Sequence, residues 1–232
     1  MNSPSFAGVS LLRVGRQYRL GEVDIPALKN VSLEIPGRDF LVIAGPSGSG
    51  KTTLLNLIGL IDKPTSGQVL MDGKDTTDKS LNSLFRYRRD KIGYVFQTFN
   101  LIPVLNVYEN VEYPLILQGV SASQRRQKVE QAMDKVGLSD RRKHKPRELS
   151  GGERQRVSIA RAIVKAPELV LADEPTANLD SETGVEILKL MQKLHLEDGT
   201  TFVFSSHDPR IIAMGKRVVR LRDGEVEAIE TR

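Results

Sequence analysis

The chain has 232 residues, 39% of them hydrophobic, enough to bury a sizeable core as one domain with an inserted subdomain. It contains no cysteine, which excludes disulfides and thiol catalysis, and no apolar run near the roughly 18 residues of a membrane span, so a soluble chain that forms no pore is expected. The net charge of +5 collects in patches such as Phe85-Arg86-Tyr87-Arg88-Arg89 and residues 141–147, without an aromatic stacking platform; this favours a solvated face biased toward anionic headgroups and phosphates over a nucleic-acid module.

Residues 9–18, 31–35 and 68–71 read as strands of an N-terminal β-rich part. Between the second and third of these, the apolar run Phe40-Leu41-Val42-Ile43-Ala44, a strand of the core, leads into Gly45-Pro46-Ser47-Gly48-Ser49-Gly50-Lys51-Thr52, a full match to G-x-x-x-x-G-K-[ST], and Leu54-Leu55-Asn56-Leu57-Ile58 continues as a helix. Glycines let the backbone wrap around phosphates with its N–H groups inward, and the helix start adds its positive dipole end. Lys51 would then reach the outer phosphates, the Thr52 hydroxyl would coordinate Mg²⁺, and Thr53 would donate to the inner phosphates. The loop therefore specifies a nucleoside triphosphate.

A second strand of the core runs through Ile92-Gly93-Tyr94-Val95-Phe96 to Gln97, and the chain turns helical from about Asn106 to Gly151. Val129, Ala132, Met133 and Val136 have the i, i+3, i+4, i+7 spacing of an amphipathic helix. That spacing suits an inserted helical subdomain, and it equally suits packing within a single lobe. Ser150 then reads as an N-cap, Gly151 and Gly152 permit close backbone approach, and Val157, Ala160, Ile163 and Val164 form the apolar stripe of the helix that follows. With Glu153 and Gln155 after it, this is a second anion-binding helix start.

Leu169-Val170-Leu171-Ala172 is a short strand of the buried type, ending at Asp173, which would hold the Mg²⁺ shell. Glu174 follows, placed to polarise the attacking water. Val185, Leu188, Met191 and Leu194 mark a helix with His195 late on it. Neither His195 nor His144, in its basic run, has the setting of a ligand. The strand 201–204 precedes His207 and Asp208-Pro209, and residues 217–221, the pair Asp223-Gly224 and residues 225–227 form a hairpin with an Asp-Gly turn. Strands near Phe40, Tyr94, Leu169 and Thr201 alternating with helices predict a parallel core.

Taken together, the loop 45–53, Leu149-Ser150-Gly151-Gly152-Glu153-Arg154-Gln155-Arg156, the segment 169–175, Asn178-Leu179-Asp180 and His207 resemble the nucleotide-binding subunit of an ATP-binding cassette (ABC) transporter over nearly the whole chain. The resemblance implies an α/β P-loop NTPase fold of the ABC ATPase type. Its parallel-sheet core is RecA-like, over about 1–105 and 152–232, with an N-terminal antiparallel β part and a helical subdomain over about 106–151. It also implies that Tyr18 stacks on adenine, that Gln97 touches Mg²⁺ and relays to a membrane partner, and that His207 senses the γ-phosphate. Ser150, Gly151, Gly152, Glu153 and Asp180 would meet an ATP held by a second chain, which makes the expected assembly a homodimer with two ATP molecules.

By the same resemblance, Arg89-Asp90-Lys91-Ile92-Gly93-Tyr94-Val95-Phe96-Gln97, Asn100-Leu101-Ile102-Pro103 and Glu109-Asn110-Val111 are similar to the lipoprotein-releasing and macrolide-exporter group. Ala177 and Ser205-Ser206 depart from the group's usual glycine and threonine. The implied partner is an integral-membrane permease subunit, with the chain peripheral on the cytoplasmic face of the cell membrane and its membrane contact indirect. Phe99, Leu101 and Ile102 would either close a small core or line a groove that receives a permease helix. Three uses fit: driving transport of lipoproteins, peptides or drugs; switching a cell-wall or cell-division partner; or, least, a nucleic-acid role, which would want coiled-coil arms or a second cassette that this sequence lacks.

Overall fold

The computed structural model describes residues 6–232 and divides into two compact units, the described part of Met1–Arg86 together with Thr200–Arg232, and Tyr87–Gly199. In chain order the elements begin with β1 (Gly8–Leu20), β2 (Val23–Pro36), β3 (Phe40–Ala44), α1 (Lys51–Ile58), β4 (Ser66–Met71) and β5 (Lys74–Asp75). There follow α2 (Phe85–Lys91), β6 (Ile92–Val95), α3 (Val107–Leu117), α4 (Ala122–Lys135), α5 (Gly151–Ile163), β7 (Leu169–Asp173) and α6 (Ser181–Asp198). The chain finishes with β8 (Thr201–Ser206), α7 (Pro209–Met214), β9 (Arg217–Arg222) and β10 (Glu225–Thr231).

In the first unit, β1 and β2 pair antiparallel from Gly8↔Pro36 to Leu20↔Val23, and β4 and β5 extend the sheet in the order β2-β1-β4-β5. Alternation drives it: Leu28, Val31, Leu33 and Ile35 turn inward from β2 with Val9, Leu11 and Val14 from β1. Both strands run beyond the expected 9–18 and 31–35, because their outer ends form a ladder whose side chains are mostly exposed and carry no hydrophobic alternation. Pro26 is tolerated there since β2 is an edge strand. The second layer is β3, buried at every position, lying parallel to β8 and to β9 (Ala44↔Ser206, Ala44↔Arg220). A strand apolar on both faces is what a covered parallel sheet requires.

In the second unit, β6 and β7 are parallel, with Ile92↔Leu169 and Val95↔Ala172 in register. Gly93 lets β6 lie close to α5, since a Cβ there would meet the Ala162 carbonyl oxygen at 2.7 Å. Helices α3, α4 and α5 pack on one another, with Val129, Ala132, Met133 and Val136 all buried as their spacing predicts. On α6 the stripe is shifted: Leu188, Met191 and Leu194 are buried with Ile187, whereas Val185 is exposed. Helix α2 has no counterpart in the hydrophobic pattern because none of its residues is buried.

Candidate functional site

The first unit builds the phosphate loop. Strand β3 ends at Ala44, and the chain turns through residues 45–50 into α1, whose N-cap Gly50 has φ 99°, a left-handed conformation in which a Cβ would stand 2.5 Å from the Ala27 carbonyl oxygen. Glycine meets both demands. No side chain caps α1 and no acid lies in its first turn, so the positive end of the helix is open to an anion. Lys51, only 8% exposed, folds over the loop and donates from Nζ to the carbonyls of Gly45 (2.9 Å) and Pro46 (2.8 Å). Those bonds keep a buried ammonium solvated by the chain and aim it at the loop's concavity.

The loop is braced from behind. Gly224 donates to the Ser49 carbonyl at 3.1 Å and accepts from Lys29 N at 2.8 Å. Asp223 and Gly224 both have positive φ (49° and 82°) between the paired residues Arg222 and Glu225, the two-residue turn expected from Asp-Gly. Thr52 is exposed and Thr53 half-buried on the first turn of α1. Ser47 and Gly48 are exposed at the loop's crest, with Pro46.

Tyr18 stands near the end of β1 opposite Ile25, 38% exposed. Its hydroxyl donates to Asp62 Oδ2 at 2.8 Å, Arg16 Nε donates to the same oxygen at 2.9 Å, and the Arg16 guanidinium lies 4.5 Å from the ring centroid. One ring face is thus occupied by a cation, an arrangement worth roughly 0.5–1 kcal/mol at a partly exposed site. The family resemblance pointed to Tyr18 but to neither partner. His207 is exposed immediately after β8, followed by Asp208, which caps α7 by accepting from Arg210 N at 2.8 Å.

The second unit carries the acidic chemistry. Two residues past the last registered pair, Val95↔Ala172, come Gln97 and Glu174, so both leave the C-terminal ends of adjacent parallel strands, where α/β sheets place ligands. Asp173 closes β7 and is half-buried, as is Glu174. Glu174 has φ 44°, a left-handed backbone that costs a non-glycine residue on the order of 1–3 kcal/mol. Its surroundings over-determine it: Ala177 N donates to the Glu174 carbonyl at 3.1 Å, and the buried Gln155 donates from Nε2 to the Pro175 carbonyl at 2.8 Å. Asn178 Nδ2 donates to the Gln97 carbonyl at 2.9 Å.

The loop after Gln97 is clamped from α5. Phe99 and Asn100 have φ 61° and 47°, and Arg161 donates to both of their carbonyls, at 2.8 and 2.5 Å. The Arg154 guanidinium lies 5.1 Å from the Phe99 ring centroid. Buried Asn110 accepts from Ile102 N and donates to the carbonyls of Leu105 and Asn106. Phe99, Leu101 and Ile102 are half-buried, and the loop's fully presented apolar side chain is Val104, 75% exposed.

Helix α5 opens with a capping box: Ser150 Oγ accepts from Glu153 N at 3.2 Å and Glu153 Oε2 accepts from Ser150 N at 2.9 Å. The Ser150 amide, followed by Arg141 at 2.8 Å, holds the Glu153 carboxyl below the usual range. Gly152 is required by close approach, since a Cβ there would lie 2.5 Å from Thr183 Cγ2 on α6. Asp180 caps α6, accepting from Thr183 N at 2.9 Å. The starts of α5 and α6 therefore lie side by side, two positive helix ends at one edge of the unit. His195 is buried on α6 and His144 half-buried. Among the described residues no three His, Cys, Asp or Glu side chains group as a metal cage.

A family model described as ABC transporter matches residues 28–177. The chain is 49% identical over 226 residues to an uncharacterized ABC transporter ATP-binding protein, MJ0796, of Methanocaldococcus jannaschii, covering 96% of each chain. It is 43% identical over 221 residues to the macrolide export ATP-binding/permease protein MacB of Syntrophobacter fumaroxidans, covering 94% of this chain and 31% of that one. A solved structure described as the dimeric post-hydrolysis state of the ATP-binding cassette MJ0796 bound to ADP and Pi superposes with a TM-score of 0.89 at 48% identity, covering 96% of this chain and 98% of that one.

Proposed function

The chain belongs to the ABC transporter family as one of its ATP-binding, ATP-hydrolysing proteins, and from that premise we propose that two copies close head to tail around two ATP molecules to drive a separate integral-membrane permease. The observation that carries the nucleotide chemistry is the buried Lys51 ammonium turned into the phosphate loop at the uncapped start of α1. On this reading the amides of Gly45, Ser47, Gly48, Ser49 and Gly50 line the phosphates with Thr53, Pro46, which has no N–H, shapes the turn between them, and Lys51 exchanges its two carbonyl partners for phosphate oxygens. Tyr18 offers its open face to adenine. Ser150, Gly151, Gly152, Glu153 and Asp180 complete the site of the partner copy, with Glu153 contributing through the cap it holds. The dimeric MJ0796 cassette supports this assembly.

The donors of Thr52, Gln97 and Asp173 are a hydroxyl, an amide oxygen and one carboxylate, all hard oxygens, a set that fits Mg²⁺ with phosphate and water as its other ligands. Bound there, the ion would neutralise phosphate charge. Glu174 orients the attacking water and takes its proton, and His207 contacts the γ-phosphate, so catalysis is mostly positioning with one base. Residues 106–151 form the helical subdomain in this scheme, and the loop 98–103 faces the permease.

Among the described residues no helix is long and apolar enough to cross a membrane, so membrane attachment would come through the permease on the cytoplasmic face. The MacB relative supports export, with lipoproteins, peptides or drugs as the class of cargo. Co-purification from membranes tests the proposal: an integral-membrane subunit should accompany the tagged chain and stimulate its ATPase activity. Recovery of the chain without any membrane protein would refute it.

A further inference from the structure

Gln155 is completely buried on α5, five residues after the cap at Ser150, and its Nε2 donates to the Pro175 carbonyl at 2.8 Å. Pro175 has no N–H and offers only an acceptor, so the Gln155 amide must present its NH₂ group there. The bond ends one residue from Glu174, whose left-handed backbone needs support from its neighbours. The other end of the lever is the helix itself. Ser150 to Gln155 is about 7.5 Å of α-helix, stiffened at its start by the reciprocal Ser150–Glu153 cap.

We propose that Gln155 is a positioning residue that ties the start of α5 to the backbone of Glu174, so that engagement of the Ser150–Gly152 helix start sets the aim of the Glu174 carboxylate. This rests on the reading of Glu174 as the base. Two further polar atoms support a tuned rather than a merely filled site: Gln155 Oε1 and Ser158 Oγ, three residues on, are buried without a hydrogen-bond partner among the described residues. A helix face meant only for packing would carry apolar side chains at both positions. In a homodimer the helix start that grips one ATP belongs to the chain whose Glu174 serves the other. Gln155 would therefore pass occupancy of one site to the water-orienting group of its twin.

The test is a double-mutant cycle on the full-length chain with ATP and Mg²⁺. Gln155→Met, close in volume but without the donor, should lower kcat by roughly ten- to a hundredfold, the scale of a displaced reacting group, while KM moves less than about twofold. In a Glu174→Gln background the same change should have no further effect on the residual turnover, because the residue it acts through is already gone. Equal losses in both backgrounds would make Gln155 a packing residue and overturn the inference. An unchanged kcat for Gln155→Met would overturn it too. If Glu174→Gln alone leaves turnover intact, the reading of the base fails, a result separate from either. Should Gln155→Met fold poorly, Gln155→Asn, too short to reach Pro175, must reproduce the loss.

Discussion

The Tyr18 hydroxyl donates to the Asp62 carboxylate at 2.8 Å, and the Asp62 amide in turn donates to the Asn56 carbonyl on α1 at 3.3 Å. A ring expected to stack on the base is therefore fastened to the helix whose other end is the phosphate loop. Its eight residues, about 12 Å of helix, would gauge the distance from base to phosphates. Asp62→Ala should weaken ATP binding by roughly three- to tenfold and leave tripolyphosphate binding unchanged. Titration calorimetry with both ligands decides it. Equal weakening of the two would assign Asp62 to the loop's stability instead.

Binding and chemistry should separate at Lys51 and Glu174. Lys51→Ala removes the ammonium that covers the Gly45 and Pro46 carbonyls and should abolish ATP binding. Glu174→Gln should keep binding and reduce turnover by roughly 10²-fold or more, the scale of a lost general base. Steady-state hydrolysis unaffected by Glu174→Gln would show that another group orients the water.

Dimerisation should depend on nucleotide. Each copy has one phosphate loop and one α5 start, so neither site is complete alone. In the Glu174→Gln background, light scattering with ATP and Mg²⁺ is expected to show a doubling of mass. A monomer at high protein concentration contradicts the head-to-tail arrangement.

The loop after Gln97 divides into a clamped part and a presented part. Phe99 lies under Arg154, so Phe99→Ser and Leu101→Ser should loosen the loop, whereas Val104→Ser, at 75% exposure, leaves the fold untouched. All three should spare the ATPase activity of the isolated chain and weaken permease assembly and transport-linked stimulation in reconstituted vesicles. Normal assembly with an intact fold would make the loop a local lid.

Lys165 supplies a pH test. Its ammonium donates to the Arg88 and Arg89 carbonyls at 3.2 and 2.7 Å, and burial pushes its pKa down to about 8. The unfolded chain holds this proton up to the ordinary lysine value near 10.4, so between these limits the unfolded state binds more protons and stability rises with pH. Relative to Lys165→Met, the chain should gain on the order of 1 kcal/mol from pH 8 to 10.5, a figure discounted for partial exposure. Denaturant titrations at the two pH values measure it. A difference that stays flat would mean that burial does not depress this lysine.

Sequence alone determined what contiguous residues encode: the strand, loop and helix around Lys51, the capped start at Ser150, the apolar strand ending in Asp173-Glu174, the stripe of α4 and the Asp-Gly hairpin. Each is a backbone conformation selected by neighbouring side chains, and those are adjacent in the chain. Helix α2 was illegible because none of its residues is buried, so it carries no apolar stripe. The outer end of β2 was illegible because its ladder is mostly exposed and interrupted by Pro26.

Only the tertiary structure decided which distant groups meet. The Val95↔Ala172 register sets Gln97 beside Glu174, Gly224 holds Ser49, Asp62 holds Tyr18, and Gln155 reaches Pro175. They join segments that share no local period: the Gln97 and Gln155 contacts are chosen when β6 pairs with β7 and α5 packs on β6, those of Ser49 and Tyr18 when β3 pairs with β9 and β1 with β4. The residue types that do the chemistry are written locally, whereas the groups that hold them in place are fixed by packing, because a hydrogen bond across space leaves no pattern along the chain.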